Sequence, residues 1–431
     1  MSSTNTRESG FSLIELMVAI TLGLLLSIGI ISLFGSTSNT NKVQDALANL
    51  QENGRYAVVH VDDDLRMLGG LFCSNKAGSP TGTGDTLAWP GRAPGVLAAS
   101  LPLPDSGNAK SFPATGSSTS NATTFYALSP RWFVQGYECA TGTCVPSVAS
   151  EIPTTGVANL KRVPKTDVLT VRYQRGNGWP LTAASCISGG SLTISPQSGD
   201  DTLNFAAGNL ALVTDCVNPN ILPISAVAGN TLTIGATLAG GASPFCGANA
   251  ASDTRVFNFS ADFVTVSYYL AFRDDNNPDA SANSAAAKRQ IPVLIRRENG
   301  IEQEIVQGVD RLDFLYGVQD GNGVTRYLDA GQVNNNLGGA ITCTPAPNGI
   351  ATLEPGCLWR SVRSVEIHML LDTVNNVASL DTTSMSYTYS QDTPKTTTIS
   401  SPTTLLPSGI QAGRMMRREF VSLVSVRNYN P

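Results

Sequence analysis

The amino-acid sequence predicts an α+β protein: one long N-terminal helix lies against an antiparallel β-sheet head that carries a large loop-rich insertion. Three observations predict it. Residues 11–34 read FSLIELMVAITLGLLLSIGIISLF, an apolar run with a single charge, Glu15. An amphipathic stripe continues it without a break as far as Leu68. Beyond residue 255, strand-like runs recur between turn dipeptides.

At 1.5 Å per residue the apolar run forms a helix about 36 Å long, enough to cross a hydrocarbon core of about 30 Å. A secretory signal peptide carries a small-residue cleavage site after its apolar region. Here GSTSNTN follows Phe34 and no such site is present, so the segment is expected to remain in the mature chain. Val43, Leu47, Leu50, Gly54, Val58, Val61, Leu65 and Leu68 then fall on one helical stripe, and the chain breaks at Gly69-Gly70. A helix over 11–68 would be about 87 Å long, with its first half in a membrane and 35–68 packed on the head. The run Asp62-Asp63-Asp64 reads as a solvated face, with Asp62 and Arg66 spaced for an i,i+4 pair.

Glu15 is the odd residue. A carboxylate inside an apolar helix costs about 2.5–3.5 kcal/mol on insertion scales and needs a partner. Either it snorkels to the membrane face, or the chain is cut before Phe11 and a neighbouring subunit's new ammonium pairs with it in a low-dielectric bundle.

Gly10-Phe11-Ser12-Leu13-Ile14-Glu15 resembles the processing signal of type IV prepilins. That resemblance implies a leader of residues 1–10, cut between Gly10 and Phe11 by a prepilin peptidase that also N-methylates Phe11. It further implies that Glu15, fifth in the mature chain, supports assembly and register through a neighbour's terminal amine. ENGRYAVVHVDDDLRMLGG at 52–70, EIVQGVDRLDFLYGVQDGNG at 304–323 and REFVSLVSVRN at 418–428 resemble the helix end, recurrent sheet segment and terminal strand of PilW-type minor pilins. Residues 75–255 have no counterpart in that resemblance and read as a variable insertion.

The family implies a pilin-like fold, an inner-membrane anchor with the head (69–431) in the periplasm, and a place on the pilus surface after assembly. It implies membrane lipid, other minor pilins, the major pilin and the inner-membrane assembly platform as partners, in a complex that primes assembly and extends to the tip. The alternatives are a pseudopilin J-like component of type II secretion, or a tip adhesin built from the insertion.

Within the head, AGSPTGTGD (77–85) and SFPATGSSTSNAT (111–123) read as loops, like most of 70–160. Strand-like runs follow at 168–173, 202–207, 210–215, 231–236 and 256–272. Runs 291–298 and 301–306 flank Asn299-Gly300, a two-residue hairpin signal, and 311–319 and 324–329 flank a DGNG turn. Runs 361–373 and 419–428 complete the sheet.

Eight cysteines lie beyond the apolar segment with no CxxC pair and only two histidines, His60 and His368, in the chain. Disulfides are therefore expected rather than a zinc site. Short separations nominate Cys139–Cys144 and Cys343–Cys357 as local bridges, and the other pairings stay open. No HExxH, Walker A or GxSxG pattern occurs, so no catalytic residue is nominated and a structural rather than enzymatic protein is expected.

Two acidic loops offer oxygens to calcium: Asp320 and Asn322 with Asp329, and Asp274 with Asp275. Both lack the full spacing of a calcium loop, and Asx turns account for them equally well, so no cofactor is otherwise expected. Net charge is −5, and acidic neighbours interrupt the basic clusters Lys288-Arg289, Arg296-Arg297 and Arg414, Arg417 and Arg418, which read as solvent-facing strand residues. No continuous stripe for nucleic acid results.

Overall fold

The computed structural model describes residues 12–69, four short stretches (95–98, 100–101, 110–111 and 126–127) and most of 133–426. Within that last range it leaves out 141, 186, 196–203, 215–219, 239–253, 277–287, 343–356, 378–385, 393–395, 399–405 and 411–412.

A single helix, α1, spans Leu13–Met67, 55 residues. It is about 82 Å long. From Leu13 to Phe34 its large apolar side chains all stand exposed, from 51% at Val18 to 76% at Leu13. Burial begins at Leu50 and recurs at Gly54, Ala57, Val61, Asp64 and Leu65. The stripe read from the sequence is therefore the packing face from Leu50 onward, while Leu47 is 37% exposed. Each fully buried Leu or Val on that face contributes about 1.5–3 kcal/mol.

The part of the head packed on α1 holds two antiparallel sheets where the sequence suggested one. The first has six strands in the order Ile301–Gln307, Lys288–Glu298, Phe263–Asn276, Val168–Gln174, Val134–Cys139 and Cys144–Val145. The second has four, in the order Thr325–Leu328, Val309–Gln319, Val362–Asp372 and Arg417–Ser425. The chain passes from the first sheet to the second at Gly308, whose φ is +77°. A Cβ there would meet Asp372 Oδ1 at 2.5 Å, so both the positive φ and the close approach demand glycine. Asn299 (φ +47°) and Gly300 (φ +92°) form the predicted hairpin turn with both central residues left-handed.

Residues from α1 and both sheets share one core, including Leu50, Val61, Leu65, Val266, Leu294, Phe314, Val365, Ile367 and Val424. The other face of the first sheet buries Tyr269, Val293 and Ile295 with Ile152 and the Cys139–Cys144 pair.

Between Val168–Gln174 and Phe263–Asn276 the chain builds a separate unit. Trp179–Ala184, Ser191–Ile194, Thr231–Ile234, Asn220–Ala228, Leu210–Thr214 and Arg255–Asn258 pair in that order, and the last returns to the first. The result is a small closed six-stranded barrel with its own core of Trp179, Leu181, Leu192, Leu222, Ile224, Leu232, Ile234 and Val256. Leu210, Leu212, Ile221 and Phe257 point instead into the main core.

Three local differences from the sequence reading have simple causes. The run at 256–272 splits into two strands because Asn258 caps a one-turn helix, Phe259–Asp262, its side chain accepting from Ala261 N at 3.2 Å. Residues 204–207 are not a strand: Asn209 Oδ1 accepts from Ala206 N at 2.8 Å and holds a turn instead. Residues 134–139, which read as loop, form a strand paired to Val168–Gln174; its register neighbours lie far off in sequence and leave no local signal.

Candidate assembly site

The functional surface nominated by the sequence is the first half of α1. Gly10 and Phe11 lie outside the described residues. Glu15 is on the first turn of α1, where its Oε2 accepts from Ser12 N at 3.2 Å. A carboxylate at a helix N-terminus satisfies an otherwise unpaired amide and faces the positive end of the macrodipole.

The second half of α1 is fastened to the head by a device the sequence did not reveal. Asp64 is 6% exposed. Its Oδ2 takes the Arg296 Nε at 2.7 Å and the Tyr268 hydroxyl at 2.5 Å, and its Oδ1 takes Arg296 Nη2 at 3.1 Å and the Tyr173 hydroxyl at 2.7 Å. Arg296 Nη1 also donates to Glu298 Oε2 at 2.6 Å, and Arg175 Nη2 to Glu298 Oε1 at 2.7 Å. The helix, two strands and a third carrying Arg296 thus meet on one carboxylate.

Burial, reinforced by the Asp64 charge, pushes the Tyr173 hydroxyl up to about 12 and raises Tyr268 further. Burial alone would lower the Arg296 guanidinium, but Asp64 and Glu298 outweigh it and hold it raised. The solvated-face reading of 62–64 is therefore corrected. Asp64 is a buried anchor, and Asp62 accepts from Ser422 Oγ at 3.1 Å. The missing signal was the partner, 232 residues away in the chain.

On the other flank of α1, Gly54 lets the ring of Phe420 lie against the helix; a Cβ there would be 2.2 Å from the ring. Gly54→Val is expected to lower stability by about 1–3 kcal/mol through overpacking. The added Phe420→Ala change should recover part of the loss, as read by thermal unfolding of the full chain in detergent.

Cys139 and Cys144 are disulfide-bonded, closing the edge of the first sheet. Cys343 lies outside the described residues, so its pairing with Cys357 has no structural account. The acidic loops are held by donors of the protein itself. Asp320 Oδ1 accepts from Asn322 N and Val324 N, both at 2.9 Å, and these amides and Arg326 hold its carboxyl below the usual range. Asp329 caps the helix Ala330–Asn334, accepting from Gln332 N at 2.7 Å. Asp275 binds the Arg289 fork at 3.1 and 2.8 Å, and Asp274 takes Asn159 Nδ2 at 3.2 Å and Gln290 Nε2. Among the described residues no group of three or more His, Cys, Asp or Glu side chains is placed to hold a metal ion.

Of the basic residues read as solvent-facing, Arg417 is buried against Asp310 at 2.6 Å, and Arg289 and Arg296 are paired as above. His368, 2% exposed, joins Glu419 Oε1 at 3.1 Å, Ser390 Oγ at 2.9 Å and Gln391 Nε2 at 3.0 Å, tying the 386–392 segment to the second sheet.

A second buried polar centre joins the two sheets. Asp167 accepts from Cys139 N at 3.1 Å and Phe314 N at 3.2 Å. Burial, then Asp313 and Glu138, push its carboxyl well above the usual range. Burial, then Asp329 and Asp313, push Glu138 up to about 7, with Arg311 opposing. A raised carboxyl pKa favours the fold most below the unfolded value of 4.5, and that contribution is lost as pH rises through about 7. The melting temperature is therefore expected to fall between pH 5 and pH 8, and Glu138→Gln to flatten that slope, in a pH series of thermal unfolding curves.

A single exposed apolar helix half, continued without a break into a half clamped on an antiparallel β head, fits a membrane-anchored protein of the type IV pilin-like class. Residues 276–428 match the family described as Type IV Pilus-assembly protein W, and residues 5–31 match the prokaryotic N-terminal methylation motif. Over these two stretches the chain is similar to type IV pilin-like minor pilins, and both matches support that class, with the PilW-type likeness in the C-terminal part of the head. No curated protein and no solved structure matches it.

Proposed function

We propose that this minor pilin is cut between Gly10 and Phe11, N-methylated on Phe11, held in the inner membrane with its head in the periplasm, and used to prime pilus assembly before travelling at or near the tip. The observation that carries the reading is the fully exposed apolar stretch Leu13–Phe34 with one carboxylate at its start. Such a surface leaves a bilayer only if neighbouring helices cover it equally well and an amine neutralises Glu15. Prepilin peptidase, the major pilin, other minor pilins and the assembly platform are the partners this requires.

N-terminal peptide mass spectrometry of membranes and sheared pili tests it. A peptide beginning at N-methylated Phe11 is expected in both fractions. Its presence only in membranes would restrict the role to priming, and an N-terminus at Met1 or Ser2 would overturn the reading.

One observation favours an added binding role for the region 75–255. The barrel has its own core, and residues 176–254 hold no Lys, Arg, Glu or His, which leaves a hydroxyl-rich stretch whose only charges are Asp200, Asp201, Asp215 and Asp253. Gln174 and Phe263 are register partners in the first sheet, so a short turn can replace residues 175–262. If the barrel serves adhesion, that replacement should leave pili in place and lower surface attachment. Unchanged attachment would reject the role.

A further inference from the structure

The two sheets of the head have four edges, and three of them are blunted. Cys144–Val145 is two residues long, and its Cys144 is disulfide-bonded. Thr325–Leu328 is four residues long and carries Arg326. Ile301–Gln307 carries Glu302 and Glu304, both paired to Arg273 at 2.9 and 2.7 Å. Short length and inward charge pairs are the usual protection against unwanted strand pairing.

The fourth edge, Arg417–Ser425, is nine residues long, and its last six residues, FVSLVS, hold no charge. Val421 is 51% and Leu423 58% exposed. Antiparallel partners exchange hydrogen bonds at alternate residues. The bond from Val426 N to Arg363 O, at 2.8 Å, sets the phase. With Ser364 opposite Ser425, the residues bonded to Val362–Asp372 are Phe420, Ser422 and Val424. The N–H and C=O groups of Val421, Leu423 and Ser425 therefore point outward, and among the described residues no strand pairs with them.

We infer that this edge docks an extended strand donated by a different pilin-type subunit. The inference rests on the minor-pilin reading above. Two features commit the occupant. The edge lies beside α1, the element that enters the fibre: Phe420 rests on Gly54 and Ser422 donates to Asp62. Helix and strand thus advance in the same direction. A second copy paired antiparallel through a two-fold axis would reverse that direction and point its apolar helix half away from the shared membrane. The donated strand must instead carry uncharged residues opposite Val421 and Leu423, and main-chain bonds supply much of the affinity, as in other strand additions.

The test places the photo-crosslinker p-benzoylphenylalanine at position 421 or 423 of the full-length protein in its own cells. Position 301, where Ile301 is 77% exposed on the opposite edge, is the control. The expected result is adducts at 421 and 423, well above the yield at 301, whose peptides map to a strand of another pilin-type subunit. Adducts to a second copy, to a helical segment, or no excess over 301 would overturn the inference. Leu423→Pro removes one outward donor without touching the ladder, and should lower the yield from 421 by roughly 2- to 10-fold. Leu423→Lys, whose side chain already faces solvent, serves if the proline variant fails to fold. Unchanged yield in a folded variant overturns the inference. The same samples report N-methylated Phe11 and pilus incorporation. Loss of those signals would fault the minor-pilin reading, and their presence without adducts would fault only the docking edge.

Discussion

Replacing Asp64 with alanine is expected to destabilise the head by about 3–5 kcal/mol, because it leaves the Arg296 guanidinium with no counter-ion on the helix side. The side chains of Arg296 and Asp64 are only 14% and 9% exposed, so solvent cannot take over the lost contacts. In the same step the Tyr173 hydroxyl loses its Asp64 acceptor, and the Tyr268 hydroxyl is left with the His60 carbonyl at 2.9 Å. For a chain of this size the melting temperature should drop by about 3–6 °C in detergent-solubilised protein. The double change Asp64→Leu with Arg296→Leu should recover part of that loss, since it removes the stranded charge. A loss under about 1 kcal/mol for Asp64→Ala would mean that the pair behaves as a surface salt bridge and does not anchor the helix. The anchor matters for assembly because pulling on a membrane-embedded helix moves the head only if the two are fastened together.

Substituting Glu15 by valine is expected to leave insertion and cleavage intact and to strip the protein from sheared pili. Valine is favoured where a carboxylate costs about 2.5–3.5 kcal/mol, so the membrane stage should improve. Assembly should suffer, because the charge that would recruit a neighbour's terminal amine is gone. In a low-dielectric bundle such a pair is worth several times its strength in water. Immunoblots of membrane and sheared fractions separate the two stages, with full membrane levels and at least a tenfold loss from pili expected for a deficit of about 1.4 kcal/mol or more. Wild-type levels in pili would reject the role of Glu15.

Three local signals carried much of this protein in plain sight. The apolar run over 11–34, with its single charge, can only be covered by lipid or other helices, so the exposed half of α1 was legible without any partner in view. Hairpin turns are equally local: Asn299-Gly300 demands left-handed backbone at both positions, and the strands on either side follow from it. The five-residue separation of Cys139 and Cys144 made their bridge readable as well.

What the sequence hid is what depends on distant partners. Asp64 sits in a run of three aspartates that looks solvated, and only the fold brings Arg296, Tyr173 and Tyr268 onto it. The split into two sheets turns on one glycine, Gly308, whose meaning comes from the Asp372 side chain beside it. Closure of the barrel depends on Leu210–Thr214 meeting both Asn220–Ala228 and Arg255–Asn258, a pairing with no local mark. The sequence by itself determined the anchor helix, the strand-rich head and its tight turns, because these follow from periodicity and backbone preference. Tertiary structure decided which charge is buried, which strand is left as a free edge and that a barrel closes between Trp179 and Asn258, because burial and pairing are set by residues that meet only after folding.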